Sequence, residues 1–340
     1  MAAGPRGGRT PSIKDVARLA GVSGQTVSRV ARGSDKVRPT TRDRVLQAMN
    51  QLGYSPNRAA RALRNGAFNV IGVLTQAIQR TGEAHTTSGV LDAADRLGYG
   101  VTLVQVQHPE SEQVHDAVER LSHQAIDGLV IVQSGRASYR HLALPAGLAV
   151  ASSDSALVGY YPSASADQVQ GVREAVEHLL GLGHRTVHHV TGPQDSQSAA
   201  IRIAAWRRRL EESGISAPEP VLGGWEASDG YRAGQQLADD PTVTAVFCAN
   251  DEVAFGLVRA MHERGRRVPD DVSVVGFDGL PLVEYTFPPL TSVHQDFHRA
   301  GTTMVDLVVE QLAGGPRDGS RRVIIPTRLV VRGSTARPRA

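Results

Sequence analysis

A chain of 340 residues, 41% hydrophobic and 21% charged, is long enough for two or three domains with sizeable cores. Its single cysteine, Cys248, excludes a disulfide framework and any Cys-based metal site, and no run approaches the ~20 apolar residues of a membrane span. The net charge of +3 hides a division: residues 1–65 carry 13 Lys+Arg against 3 Asp+Glu (+10), leaving 24 against 31 (−7) for the remainder. A basic head on an acidic body predicts a nucleic-acid contact confined to the first domain.

Residues 1–11, MAAGPRGGRTP, are rich in Gly, Pro and Arg and read as a disordered basic arm. They contain no apolar signal core, so a cytoplasmic location is expected. The stretch SIKDVARLAGVSGQTVSRVARGS (12–34) follows. Ser12 is a good N-cap with Asp15 three residues on, and Ile13, Val16, Ala17 and Ala20 form one apolar stripe at helical spacing. Gly21 supplies the turn, since it tolerates positive φ. Ser23 then caps a second helix from Gly24 to about Ala31, with Val27 and Val30 facing the first. Two short helices about a Gly turn make a helix-turn-helix, whose second helix enters the major groove with its N-terminal residues against base edges. Ser12, Ser23, Gly24, Gln25, Thr26, Ser28 and Arg29 are therefore the candidate DNA contacts of a domain spanning 12–54. Gln can pair with adenine and Arg with guanine in bidentate fashion. A third helix is predicted from Pro39 to about Leu52, closed by Gly53 and lacking a capping side chain at Arg38.

The helix-turn-helix, continued by VLQAMNQLGYSPNRAARALRNG (45–66), resembles the DNA-binding head of the lactose-repressor/galactose-repressor (LacI/GalR) family of bacterial transcription regulators. Residues 55–66 have a helix-start signal but fewer than three turns before Gly66, and such a helix is marginal alone in water. The resemblance implies a hinge helix that folds on the operator beside its twin from a second subunit. It places Asn57 and Arg61 near the minor groove, Leu63 as an apolar wedge between base steps, and Arg64 against groove or phosphate.

From Val70 onward, short apolar runs alternate with helix-length amphipathic segments. Strands are expected at 70–74, 101–106, 128–132, 149–152, 186–190, 243–247 and 272–277. Alternating strand and helix implies parallel sheets. Some 270 residues of this pattern exceed one sheet, so the fold class expected is an all-α helix-turn-helix head and hinge helix on an α/β body of two Rossmann-like lobes. The resemblance implies the periplasmic-binding-protein-like version, with the chain crossing between lobes near 162–166, 290–294 and 324–328. The boundaries expected for the body, 67–333, are an N-lobe of about 67–163 plus 293–325 and a C-lobe of about 164–292 plus 326–333. Residues 334–340 are expected to be a disordered tail.

Ligands of open α/β sheets sit beyond the carboxyl ends of the strands. Gln76, Asp154, Asn250 and Asp278 each follow a strand run, although Asn250 is equally a strong N-cap. Within GPQDSQSAAIRIAAWRRRLEESG (192–214) the resemblance places Ser198 and Arg202 in the cleft. It sets Trp225 of GGWEASDGY (223–231) where lactose-type members stack an indole on a sugar. The segment PPLTSVHQDFHRAG (288–301) adds Gln295 and Phe297 at a crossover. Physically the set suits a pyranose: Asp and Asn meet vicinal hydroxyls, Arg offers a planar fork, and Trp covers the apolar sugar face. The segment TQAIQRTGEAHTTSG (75–89) departs from the family in lacking paired aromatics on the N-lobe side.

His188 and His189 fall in one strand and point to opposite faces, so they cannot readily share a metal. The sequence has no HExxH, CxxC, GxSxG or GxxxxGK[ST], so neither cofactor, metal nor enzymatic activity is expected. The leading expectation is a homodimeric repressor of a pseudo-palindromic double-stranded operator, controlled by a small sugar such as a galactoside. The alternatives are a co-repressor type responding to a purine or phosphorylated metabolite and, from a different class, a sugar-binding transport protein.

Overall fold

The computed structural model describes residues 11–31, 34–54, 67–106, 121, 126–132, 144–145, 147–153 and 157–339. Hinge candidates Asn57, Arg61, Leu63 and Arg64, and the cleft candidate Asp154, lie outside these residues. The chain divides into two units, Met1–Phe68 and Asn69–Ala340.

In the first unit, helices α1 (Ile13–Ala20), α2 (Gly24–Val30) and α3 (Pro39–Leu52) follow one another as the capping signals predict. The Asp15 carboxylate accepts from the Ser12 amide at 2.9 Å and from its hydroxyl at 2.6 Å, fixing the start of α1. Gly21 ends that helix in the left-handed region (φ 62°), and the Ser23 hydroxyl accepts from the Thr26 amide at 3.2 Å to start α2. Val16, Val27 and Val45, one from each helix, meet in a fully buried core with Val30, Ala48 and Met49 around them. Arg38 makes no side-chain cap at α3, where Pro39 occupies the first helical position.

The second unit contains two sheets. The N-lobe sheet has the order β10-β5-β4-β3-β1-β2 and is parallel throughout, formed by β1 (Val70–Thr75), β2 (Gly100–Gln105), β3 (Gly128–Val132), β4 (Ala149–Ser152), β5 (Ser163–Ala166) and β10 (Arg322–Ile325). The C-lobe sheet has the order β11-β9-β8-β7-β6, from β6 (His188–Val190), β7 (Ala245–Cys248), β8 (Ser273–Asp278), β9 (Thr291–His294) and β11 (Arg328–Val330). Only β11 runs antiparallel, against β9. The strands β1, β3, β4, β7 and β8 are almost wholly buried, as continuous apolar runs in a helix-covered parallel sheet require.

Helix α4 (Thr81–Arg96) packs beside α9 (Phe297–Leu312) in the N-lobe. The C-lobe carries α5 (Gln168–Gly181), α6 (Gln197–Glu212), α7 (Ala227–Ala238) and α8 (Asp251–Glu263). Helices α7 and α8 approach so closely that a Cβ at Gly230 would overlap the Val253 carbonyl, and one at Gly256 that of Ala227. This crossing fixes the N-terminus of α8 at the cleft.

Two boundaries move from their expected places. The chain changes lobes between β5 and α5, between β9 and α9, and between β10 and β11, so 163–166 belongs to the N-lobe sheet and 293–294 to the C-lobe sheet. The physical reason is strand pairing: Ser163–Ala166 pairs with Arg322–Ile325, while Val293 and His294 pair with Phe277 and Asp278. The tail is also not the disordered segment expected at 334–340. Ser334 is fully buried, its hydroxyl donating to the Val274 carbonyl at 2.6 Å and accepting from the Thr291 amide at 2.8 Å. Ala336 then bonds Ser273 and the buried His184, and Arg339 pairs with Asp270 and Asp271. The short polar sequence STARP gives no hydrophobic signal because backbone and hydroxyl groups hold it in place.

Candidate functional site

In the head, α2 offers a polar face. Gln25 and Arg29, one helical turn apart, are exposed, whereas Gly24, Thr26 and Ser28 are half-buried. The Ser12 hydroxyl is engaged by the Asp15 carboxylate, and the Ser23 hydroxyl caps α2. Arg42, on α3, donates to the Ser34 carbonyl at 2.8 Å and ties the 34–35 loop down.

Between the lobes of the second unit lies a cleft of about 160 Å³, open to solvent along one side. Ser198, Arg202, Trp225, Asn250, Asp278, Gln295 and Phe297, scattered over 100 positions, all line it. They converge because each sits at a strand's carboxyl end, the start of a helix or a lobe crossover.

Arg202 is the hub. It projects from the first turns of α6 and is only 4% exposed. Its Nε donates to Gln168 Oε1 at 2.8 Å, Nη1 donates to the Ala249 carbonyl, and Nη2 lies 3.6 Å from Asp278 Oδ1. Its guanidinium carbon stands 3.9 Å from the Phe277 ring centre and 5.5 Å from that of Trp225. Gln295 closes the ring, donating to Asp278 Oδ1 at 2.6 Å and accepting from Gln168 Nε2 at 2.9 Å. The network is buried, and its members fix one another's rotamers.

Asp278 ends β8 with φ 110°, a strained conformation for a residue with a side chain. Burial pushes its carboxyl up to about 7; Arg202 opposes that shift, and the nearby Glu252 reinforces it. Behind it, Asp251 is wholly buried and its carboxyl is pushed well above the usual range by burial and by Asp278. Asp251 accepts from the Ser292 hydroxyl at 2.5 Å and the Leu280 amide at 2.8 Å, joining the turn after β8 to β9.

Asn250 fills both roles open to it. Its Oδ1 caps α8 through the Val253 amide at 2.9 Å, while Nδ2 donates to the Trp225 carbonyl at 3.0 Å and fixes the loop carrying the indole. Trp225 is half-buried and packs over Gly192, where a Cβ would stand 2.6 Å from the ring. Ser198 is buried, with its hydroxyl 3.0 Å from that of Ser196.

Gln76 does not line the cleft. After Thr75 the backbone turns, with the Arg80 amide bonding the Ala77 carbonyl. Gln76 is thereby directed to β2, its carbonyl accepting from Gln105 Nε2. The wall is formed instead by Gln79, Arg80, Thr81 and Glu83 from the start of α4. Sequence reasoning missed these residues together with Gln168 and Glu252. Their signal was position: Gln168 directly follows the first crossover, and Glu252 lies two residues after Asn250. His188 and His189 diverge as expected; His189 is buried against Phe247, with ring centres 4.8 Å apart, and burial lowers its pKa to about 4. Among the described residues no group of His, Cys, Asp and Glu could hold a metal, and no helix is long and apolar enough to cross a membrane.

A helix-turn-helix head followed by a two-lobed body with a polar, aromatic-walled cleft defines a DNA-binding regulator of the ligand-responsive class. Residues 12–57 match the model for bacterial regulatory proteins of the lacI family, and 176–335 match the periplasmic binding protein-like domain. The lactose operon repressor of Escherichia coli (strain K12) is 34% identical over 333 residues, covering 96% of this chain and 91% of that protein. The crystal structure of the lac repressor dimer bound to operator and the anti-inducer ONPF superposes with a TM-score of 0.87 at 32% identity, covering 96% and 100% of the two chains. A transcriptional regulator CelR–cellobiose complex matches with a TM-score of 0.73 at 30% identity, covering 95% and 99%. The chain belongs to the lacI family of bacterial regulatory proteins, DNA-binding repressors governed by small-molecule effectors.

Proposed function

We propose that the chain is a homodimeric transcriptional repressor whose grip on a pseudo-palindromic operator is set by a neutral carbohydrate in the cleft. The observation that carries this reading is the composition of the C-lobe wall. The half-buried Trp225 stands beside Arg202, Asp278, Asn250 and Gln295, so one apolar face and several oriented hydrogen-bonding groups share the same wall. A pyranose presents the matching pair, an apolar C–H face and a rim of hydroxyls.

In this reading Gln25 and Arg29 meet base edges, one head to each half-site, so operator symmetry mirrors dimer symmetry. Residues Asn57, Arg61, Leu63 and Arg64 form the paired hinge helices of the minor groove. The effector binds one lobe arrangement better than the other and so separates the hinges; binding without such a difference would move nothing. Such a regulator works in the cytoplasm.

Anisotropy of labelled DNA from the chain's own upstream region, titrated at stated salt, tests the reading. Release by a galactoside or glucoside supports it. Tightening by a purine or a phosphorylated metabolite replaces it with co-repression, and the absence of specific DNA binding removes it.

A further inference from the structure

The three lobe crossings are stitched to one another by side chains as well as by the chain itself. Gln168 follows the first crossing, Gln295 lies in the second and Thr327 in the third. Gln168 Nε2 donates to Gln295 Oε1 at 2.9 Å, joining the first crossing to the second across 127 positions of sequence. The Thr327 hydroxyl donates to the Asp167 carbonyl at 2.9 Å, and the Asp167 amide to the Ile325 carbonyl, joining the first crossing to the third. The packing leaves no slack: a Cβ at Gly171, one turn into α5, would stand 2.6 Å from Val293 Cγ1 and 2.9 Å from Thr327 Oγ1.

Of these stitches, the glutamine pair alone is tied at both ends to the cleft wall. Gln168 Oε1 accepts from Arg202 Nε at 2.8 Å, and Gln295 Nε2 donates to Asp278 Oδ1 at 2.6 Å. The run Arg202–Gln168–Gln295–Asp278 therefore starts at a permanent donor and ends on a carboxylate, so each amide has one orientation. Gln168 and Gln295 are 6% and 4% exposed, and an amide that lost its partner here would stay unsatisfied. The middle position must accept and donate at once. A thioether does not donate, and Asn is one methylene too short to span both neighbours. A ligand that bonds Arg202 or Asp278 pulls on the same hydrogen bonds that fasten two crossings, where lobe rotation must bend the chain.

We infer that Gln168 is a positioning residue that converts an occupied cleft into a change of lobe arrangement, acting through Arg202 and Gln295. This rests on the proposal that a carbohydrate in the cleft sets the grip on the operator. A ligand shifts an arrangement only if its surroundings differ between the two states, and the glutamine bridge supplies that difference.

The test separates effector binding from its consequence. Calorimetry on the full-length protein gives the affinity for methyl β-galactoside and methyl β-glucoside. Anisotropy gives the ratio of operator Kd with saturating glycoside to that without it. In Gln168→Met and Gln168→Asn the glycoside Kd should stay within about threefold of the wild-type value, while the ratio, about 5–150 for coupled sites, should fall to about 1–2. Gln168→His, whose ring has one nitrogen to accept and one N–H to donate, should restore the ratio. Circular dichroism verifies folding, and the polar Asn variant carries the test if the Met variant does not fold. A wild-type ratio in the folded variants overturns the inference, as does weaker glycoside binding with the ratio intact at saturation. Failure of Gln168→His to restore coupling also overturns it, because the residue would then serve packing alone. If neither glycoside changes operator binding by the wild-type protein, the inference and the carbohydrate reading fall together.

Discussion

Thr81 and Glu252 join the two lobes: the hydroxyl at the start of α4 donates to the carboxylate in the first turn of α8 at 2.5 Å, across 171 positions of sequence. Both residues line the cleft, so the contact spans the space between the lobes. A single hydrogen bond to a charged acceptor contributes about 1.5–3 kcal/mol, enough to shift an open–closed balance about tenfold or more. Thr81→Ala should therefore open the ligand-free cleft, and Thr81→Ser should not. Acrylamide quenching of tryptophan fluorescence reports this, because Trp225 lies in the cleft while Trp206 is buried in the C-lobe core. Quenching that is unchanged in Thr81→Ala would show that the contact does not hold the lobes together.

Arg202 answers a different question, because it is needed by its neighbours before any ligand arrives. Removing it leaves Asp278 and Gln168 buried without the guanidinium, each held by Gln295 alone. Arg202→Ala should abolish effector-driven release of operator and lower the stability of Asn69–Ala340 by about 3 kcal/mol, the usual cost of breaking a buried ion pair from one side. Arg202→Lys should rescue little, since a point charge cannot replace the fork that reaches Gln168, Ala249 and Asp278 together. Urea unfolding and the anisotropy titration read the two effects separately.

The Asp278 carboxyl supplies a pH dependence with a definite sign. Its pKa rises from 3.8 to about 7 on folding, so the native state holds a proton that the unfolded chain has already released. That difference favours folding at low pH and fades as pH rises from about 4 to about 7. Binding runs the other way, because the ionised carboxylate is the better acceptor for sugar hydroxyls. Effector affinity should increase from pH 6 to pH 8 with an inflection near 7, and Asp278→Asn should flatten the profile. An unchanged inflection in that variant would assign the titration to another group.

Much of this site was legible before the fold was known, because strand ends and helix starts are marked by short apolar runs followed by polar residues. Asn250 and Asp278 were found that way, and GLVIV and AVAS match β3 and β4 residue for residue. The resemblance supplied Ser198, Arg202 and Trp225. Elements whose burial depends on partners rather than on their own apolarity were not legible. Strand β5, SASA, is half serine and is buried because it lies between β4 and β10. Helix α7 carries Gly230 and Gly234, poor helix formers that give no sequence signal for a helix, and it is their small size that lets α8 come close. Gln76 was misplaced for a related reason. Hydrophobic periodicity locates the end of β1 but not the direction of the turn beyond it, which the three hydrogen bonds to Glu83 Oε2 settle.

The head can be tested apart from the cleft. Gln25 and Arg29 form the exposed polar face of α2, whose buried face is held by Val27 and Val30. Gln25→Ala or Arg29→Ala should cost about 1–3 kcal/mol of operator affinity each and relax sequence preference at one base pair per half-site. Neither should alter effector affinity, since Met1–Phe68 and Asn69–Ala340 are separate units. Operator variants titrated against each substitution give the result. A uniform loss across all sequences would make the residue a phosphate contact instead.

The tail offers a stability prediction that its sequence conceals. Ser334 bonds the Thr291 amide and the Val274 carbonyl, and Ala336 bonds Ser273 and His184 through its own backbone. Truncation after Gly333 would leave Thr291, Val274 and His184 without these partners, in positions that are buried or nearly so. Each unsatisfied buried group costs about 1–3 kcal/mol, less whatever water recovers once the groove opens. Removal of 334–340 should thus destabilise the C-lobe by about 2–4 kcal/mol and lower its melting temperature by several degrees. Ser334→Ala alone should account for about half of that loss, because its hydroxyl makes two of the buried bonds. Differential scanning calorimetry of the two variants checks both figures, and a truncated chain that melts like the full one would mean the tail lies on the lobe without holding it.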